Sequence, residues 1–337
     1  MRRRAGAGGG DEERGPTSDD SAIDEAAEVP DGDEELAIVV ERAPGPRRRR
    51  LHLDPGSHEP RLIAARALRR PADTEGTTPE RRFAAALLHP ADEMGAPADA
   101  AVLRQLASAA VVGAGRIPYA SNAVFVLELD APAPSGSGRL RAVYKPARGE
   151  RPLWDFPPHT LHFRETATYV VDAALGFGLV PPTVLREGPH GPGSVQLLIR
   201  TAGRSLGGAP GADIAPAILA MAALDVLANN ADRKSAHLLV TADGRLIGID
   251  HGLTFLPYPR QRTVLAELGG ALLPDAVATA VRTLDSDAPR RATLLRHLGR
   301  LLAPAEVEAF SGRLRELAAD PVYPELDPWD GRPFEWW

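Results

Sequence analysis

The sequence predicts an α+β chain in two lobes: a small antiparallel sheet carrying one helix, followed by a mostly helical lobe. Three observations predict it. Apolar runs of strand length, separated by turns, occupy much of residues 123–200, whereas helix-period runs occupy most of 214–319. A Gly-rich stretch, Gly203–Gly211, divides the two regions. A tight hairpin signal, Ala242-Asp243-Gly244, lies between Asp232 and Asp250 near the start of the second region.

The elements follow in order. Ala100–Ala110 reads as a short helix, Ala123–Leu129 as a strand, Ala131–Gly138 as a turn and Leu140–Lys145 as the returning strand. Arg164–Leu175 is a helix, with Tyr169, Val170 and Ala174 at helical spacing, stopped by Gly176 and Gly178. Thr183–Arg186 and Ser194–Arg200 are two further strands. Beyond the linker, Asp213 caps a long apolar helix, Ile214–Leu227. Leu238–Thr241 and Leu246–Ile249 form the hairpin, and helices are expected over Val264–Gly269, Pro274–Leu284, Arg290–Leu302 and Ala305–Ala319. The domain reading is therefore an N-terminal extension at 1–93, a sheet lobe at 94–202 and a helical lobe at 203–337, ending in a Pro- and Trp-rich tail.

Composition bounds the function. A net charge of −6 argues against a general nucleic-acid binder, which needs a basic surface for phosphates. With no cysteine there are no disulfides, thiolate zinc sites or cysteine nucleophiles. No uninterrupted apolar run reaches membrane-spanning length. Met1-Arg2-Arg3-Arg4 is followed by glycines and acids rather than an apolar stretch, so a signal peptide is not expected. A cytoplasmic location is the resulting expectation. Residues 1–35 are Gly-rich and acidic, too poor in apolar surface to offset the entropy of ordering, and read as disordered. The basic run at 44–50 reads as a solvated tail, and the change of composition near Met94 suggests a natural start there.

Chemistry concentrates in Asp232-Arg233-Lys234-Ser235-Ala236-His237 and in Ile249-Asp250-His251-Gly252. Phosphoryl transfer needs such a set: a carboxylate to orient the attacking hydroxyl, a cation near the moving group, and ligands for a divalent metal. Arg233 reads as support for the loop, and Asn229-Asn230-Ala231 as a helix end. His159 and His162 lie in a Pro-rich loop where nothing completes a metal site, and Trp154-Asp155-Phe156 reads as a packed anchor. Trp329, Phe334, Trp336 and Trp337 are expected to dock on the helical lobe.

With Val143-Tyr144-Lys145 upstream, these motifs resemble the protein-kinase-like superfold, and within it the phosphatidylinositol 3-/4-kinase-like branch, especially an actinobacterial group of uncharacterised kinase-like proteins. The resemblance covers about residues 100–320. It implies a two-lobed protein-kinase-like fold that binds ATP with Mg²⁺ or Mn²⁺ and transfers the γ-phosphoryl group to a hydroxyl acceptor, whether protein, metabolite or lipid head group. Lys145 would bind the nucleotide phosphates, positioned by Glu165, with Glu150 as the fallback partner. Asp232 would orient or deprotonate the acceptor, and Lys234 would offset γ-phosphate charge. Asp250 would be the principal metal ligand, and Gly252 would let the chain turn sharply after it. His237, five positions after Asp232, departs from the usual Asn; it either ligates metal, favouring Mn²⁺, or holds phosphate.

Gly113–Gly115 through Asn122 is the candidate phosphate loop, with Ser121 and Asn122 as donors. Leu198–Thr201 would contact adenine. Two other readings stay open on the residues: a nucleotide-binding pseudokinase, to which His237 points, and a metal-dependent hydrolase built on Asp232, His237, Asp250 and His251.

Overall fold

The computed structural model describes residues 99–118, 120–201, 214–326, 331 and 333. The expectations for 1–93, the Met94 start, the Gly203–Gly211 linker, the Asp213 cap and the docking of Trp329, Phe334, Trp336 and Trp337 fall outside those residues.

The first lobe opens with helix α1 (Ala100–Ser108) and strand β1 (Val111–Arg116). β2 (Phe125–Pro132) and β3 (Arg139–Pro146) form the long central hairpin. Helix α2 (Leu161–Leu175) follows, then β4 (Thr183–Gly188) and β5 (Gly191–Leu197). The sheet runs β1-β2-β3-β5-β4, with every neighbouring pair antiparallel. Strand alternation then sorts the side chains. Phe125, Leu127 and Leu129 of β2, and Leu140, Ala142 and Tyr144 of β3, point into the core, which leaves Val143 and Lys145 on the other face.

Helix α2 is buried at 14 of its 15 positions because it is covered on all sides. It packs on β4 and β5 of its own lobe and against three helices of the next: α3 (Ala215–Ala228), α4 (Asp275–Ser286) and α5 (Ala288–Leu301). Gly176 ends it in the left-handed conformation that lacks a Cβ penalty, at φ 73°. The second lobe adds the two-stranded β6 (Leu238–Val240) and β7 (Leu246–Gly248), and a last helix, α6 (Pro304–Ala319). Asp287 caps α5 by accepting the Arg290 N–H at 3.0 Å. The fold is thus α+β, an antiparallel sheet lobe followed by a mostly helical lobe, as expected.

Three local expectations are corrected. Gly113 and Gly115 lie inside β1, paired with Glu128 and Val126, and not in a loop. Val264–Gly269 is not a helix; it holds a single 3-10 turn, Ala266–Leu268, since Gly269 and Gly270 leave too few residues to propagate one. The fifth strand ends at Leu197 rather than Arg200.

Candidate active site

The sheet-lobe side of the candidate site is made by β3 and α2. Lys145 projects from the outer face of β3, and its Nζ makes an ion pair with Glu165 Oε1 on α2. The same ammonium reaches across to Asp250 Oδ1 of the second lobe at 2.9 Å. Glu165 uses its other oxygen, Oε2, to accept the backbone N–H of His251 at 3.0 Å. One carboxylate therefore fixes both the lysine and the loop that carries Asp250. Burial pulls the Lys145 ammonium toward neutrality, but the carboxylates of Asp250 and Glu165 outweigh it and hold its pKa above the ordinary lysine range. Glu150, the fallback partner, instead meets His162 Nδ1 at 3.1 Å.

The helical-lobe side begins where α3 ends. Asn229 adopts the left-handed conformation at φ 49° and terminates the helix. Its amide donates to Leu256 O and Tyr258 O, while its Oδ1 accepts from Arg260 N at 2.9 Å. Asn230 Oδ1 accepts the Asp232 N–H at 3.0 Å. Arg233 is fully buried and grips Asp225 of α3 with two bonds of 2.8 Å, and it donates to Ile249 O at 2.9 Å. The expectation that Arg233 supports the loop is met: it ties the Asp232 loop to the residue preceding Asp250. Asp232 itself faces Lys234, with Nζ at 2.8 Å from Oδ2. Burial raises the Asp232 pKa, with Lys234 opposing, so this carboxylate holds a proton more readily than a free aspartate.

Asp250 follows β7 in the left-handed region, at φ 59°, a conformation aspartate tolerates better than most residues. This is the sharp turn assigned to Gly252, which has no positive φ. A Cβ at Gly252 would meet Glu165 Oε1 and Leu161 Cβ at 3.4 Å, an ordinary van der Waals contact, so neither backbone nor packing demands glycine there. The Asp250 side chain is 54% exposed, and Lys145 above all holds its pKa well below the ordinary carboxylate range.

His237 stands beside it, with Nε2 3.4 Å from Asp250 Oδ2. Its Nδ1 accepts the Lys234 backbone N–H at 3.3 Å, and burial lowers its pKa. The neutral ring is therefore the tautomer with the proton on Nε2, pointed at Asp250. Direct ligation through Nε2 would require moving that proton to Nδ1 and losing the bond from Lys234.

These residues fit a divalent cation of a particular kind. Among the described residues, no three His, Asp or Glu side chains converge as a metal-binding group. Asp250 offers one half-exposed, ionised carboxylate. Mg²⁺ bound through one or two carboxylates, waters and substrate phosphates matches that set better than a metal caged by protein alone. Asp232, His237, Asp250 and His251 accordingly form no such metal-binding group, and His251 is completely buried.

The loop between β1 and β2 holds the remaining candidates. Ser121 is exposed, and Asn122 Oδ1 accepts from Arg151 N at 2.9 Å. Leu198 N–H donates to Arg141 O at 3.0 Å, and Thr201 bridges Thr241 of the second lobe. Sequence reasoning missed the supporting groups. Asp225 is a lone acid inside an apolar helix, a signal in itself, because a buried acid must find a partner. Arg164, also buried, donates to Glu306 at 2.6 Å and to Thr254 O at 2.5 Å, anchoring α2 beside Glu165 to α6. Nothing in its local sequence sets it apart from an exposed arginine.

The chain is 37% identical over 257 residues to a Mycobacterium tuberculosis protein named Protein Rv2133c, an alignment spanning 66% of this chain and 90% of that relative. No protein-family profile matches it. It also resembles the solved structure of a Golgi casein kinase with Mn/ADP bound, with a TM-score of 0.44 and 17% identity over 65% of this chain and 74% of that one. A proinflammatory kinase of Helicobacter pylori, CtkA, resembles it with a TM-score of 0.41 and 11% identity over 65% of this chain and 94% of that one.

Proposed function

We propose that this chain, which belongs to the same family as Protein Rv2133c of Mycobacterium tuberculosis, is an ATP-dependent phosphotransferase acting on a hydroxyl acceptor. The observation that carries the proposal is the Lys145 ammonium held between Glu165 of one lobe and Asp250 of the other. A phosphate-binding cation and a metal-binding acid are thereby poised at one site.

Each residue has a task that its surroundings support. Lys145 draws the nucleotide phosphates to the sheet lobe, and Glu165 keeps it there. Asp250, kept ionised, would hold the divalent cation, which would supply charge neutralisation for the nucleotide phosphates. His237 steadies Asp250 from the opposite side. Asp232, with its raised pKa, receives the acceptor's proton as the hydroxyl oxygen bonds to the γ-phosphorus. The bond from that phosphorus to the β,γ-bridging oxygen breaks, and its electron pair leaves with ADP. Lys234 balances charge beside Asp232, and Ser121 and Asn122 offer donors from the loop between β1 and β2. The Asp250-His251-Gly252 sequence resembles that of the phosphatidylinositol 3-/4-kinase-like branch, a resemblance that does not by itself make the acceptor a lipid.

A pseudokinase is the second reading. It is favoured by one observation: in this arrangement both Asp250 oxygens already have protein partners, Lys145 and His237. Thermal shift and ATP turnover with Mg²⁺ and with Mn²⁺, wild type against Asp250→Ala, separate the two. A metal-dependent shift with turnover, lost in the variant, is expected. A shift without turnover in either metal would establish the pseudokinase.

A further inference from the structure

The loop between β3 and α2 builds a surface that the chemistry above leaves unused. Trp154 is 71% exposed and Leu153 is 39% exposed, flanked by exposed Pro152, Pro157 and Pro158. Such a projecting aromatic is costly to leave in water, yet the loop is firmly placed. Phe156 anchors it in a small apolar cluster with Leu161, Ala231 and Leu256. Arg260 lies over the Trp154 ring, 5.2 Å from its centre, and its Nε is 3.7 Å from Asp155 Oδ2.

That anchorage puts the surface at the edge of the candidate site. Arg260 N–H donates to Asn229 Oδ1, Arg262 N–H to Asn230 O, and Arg233 N–H to Arg262 O. The 260–262 segment therefore runs alongside the 229–233 loop that ends at the Asp232 site. Ala231, adjacent to Asp232, belongs to the same apolar cluster as Phe156.

The charge of this lip is specific. Asp155 is engaged by Arg260, and Glu150 by His162. Arg148 and Arg151 are exposed, and no described acid pairs with either. The lip is locally basic on a chain whose net charge is −6. Exposed aromatic and arginine side chains are the composition of macromolecular contacts, whereas small molecules are taken into concave sites.

We propose that Arg148, Arg151, Trp154 and Arg260 form the acceptor-docking surface, and that the acceptor is an acidic polypeptide segment carrying a hydroxyl side chain. The proposal rests on the phosphotransferase reading. Acidic flanks meet Arg148 and Arg151, an apolar residue covers Trp154, and the hydroxyl falls toward Asp232.

The test uses the full chain with ATP and Mg²⁺ or Mn²⁺ on Ser/Thr peptides of one length with acidic, neutral or basic flanks, alongside phosphatidylinositol vesicles. Acidic peptides should be phosphorylated with a kcat/KM at least about tenfold above basic ones. Arg148→Glu with Arg151→Glu should abolish or invert that preference, and Trp154→Ala should raise peptide KM about tenfold. None of these variants should alter the nucleotide thermal shift or peptide-independent ATP hydrolysis. Equal use of all peptides, an unchanged preference in the charge variant, or transfer only to vesicles would overturn the docking surface while leaving the phosphotransferase intact. Absence of nucleotide binding in the wild type would overturn both.

Discussion

Asp232 and Asp250 flank the same hairpin, and their surroundings drive them in opposite directions. Asp250 is half exposed but bonded to Lys145, which favours its charged form. Asp232 is more enclosed, and desolvation outweighs Lys234, so its protonated form is favoured relative to a free aspartate. Pairs of acids pushed apart in this way divide into an acceptor of protons and a permanent charge. The contrast teaches that one residue type beside one hairpin can take two roles, and that the nearest cation and the depth of burial decide which.

The largest expected effect breaks the comparison at its charged end. Asp250→Ala should reduce ATP turnover by about 10³-fold and remove the metal-dependent thermal shift. Turnover within tenfold of wild type would remove Asp250 from the metal site. Asp232→Asn should lower transfer by roughly 10²–10⁴-fold with nucleotide affinity unchanged. Stability adds a sign test. Asp232 has a raised pKa, so its ionisation costs stability as pH rises above the ordinary value of 3.8, and Asp232→Asn should raise Tm at pH 7. The Asp250 pKa is depressed, so its charge contributes stability that is lost only as pH falls below 3.8 toward the folded value. Asp250→Asn should therefore lower Tm at pH 7, and shifts of the same sign in both variants would refute the opposed environments.

His237 sharpens the comparison, because it touches only Asp250 of the pair among the ion pairs described. As an Nε2–H donor it acts on Asp250 from outside the metal's own ligands. His237→Asn should lower turnover about 10–100-fold, typical of removing such a supporting partner, without changing the ratio of Mg²⁺ to Mn²⁺ activity. A tenfold change in that ratio would show that the imidazole ligates the metal directly, softer nitrogen favouring Mn²⁺ over Mg²⁺.

The order of Lys145, Asp232 and Asp250 along the chain was readable because each sits at a boundary that local signals mark: a strand of alternating pattern, a helix end, and a hairpin with an Asp-Gly turn. Their convergence followed only from the resemblance, since local signals do not reach across the 105 positions that separate Lys145 from Asp250. Supports such as Arg164–Glu306, 142 positions apart, carry no periodic pattern at all. Gly252 misled for a related reason. A glycine shortly after an acid looks like the turn itself, but Asp250 takes the left-handed conformation and Gly252 does not.

The smallest effect concerns His251, the residue after Asp250. Its ring is fully buried with no partner on either nitrogen, and burial, aided by the positive charge of Arg233 and Lys145, holds its pKa well below the ordinary value of 6.5. Above that value it is neutral folded or unfolded and contributes no pH dependence. Below it the unfolded chain takes up a proton that the folded chain refuses, so stability falls as pH drops, at up to about 1.4 kcal/mol per pH unit. His251→Leu keeps an apolar ring-sized group in place and removes the titration. Denaturant unfolding between pH 7 and pH 5 should then show a shallower loss of stability, with a residual slope from His237, whose pKa is lowered in the same direction. An unchanged slope would mean that His251 is protonated in the folded chain. That in turn would place a second cation beside Asp250, and the ionised state of that carboxylate would no longer depend chiefly on Lys145.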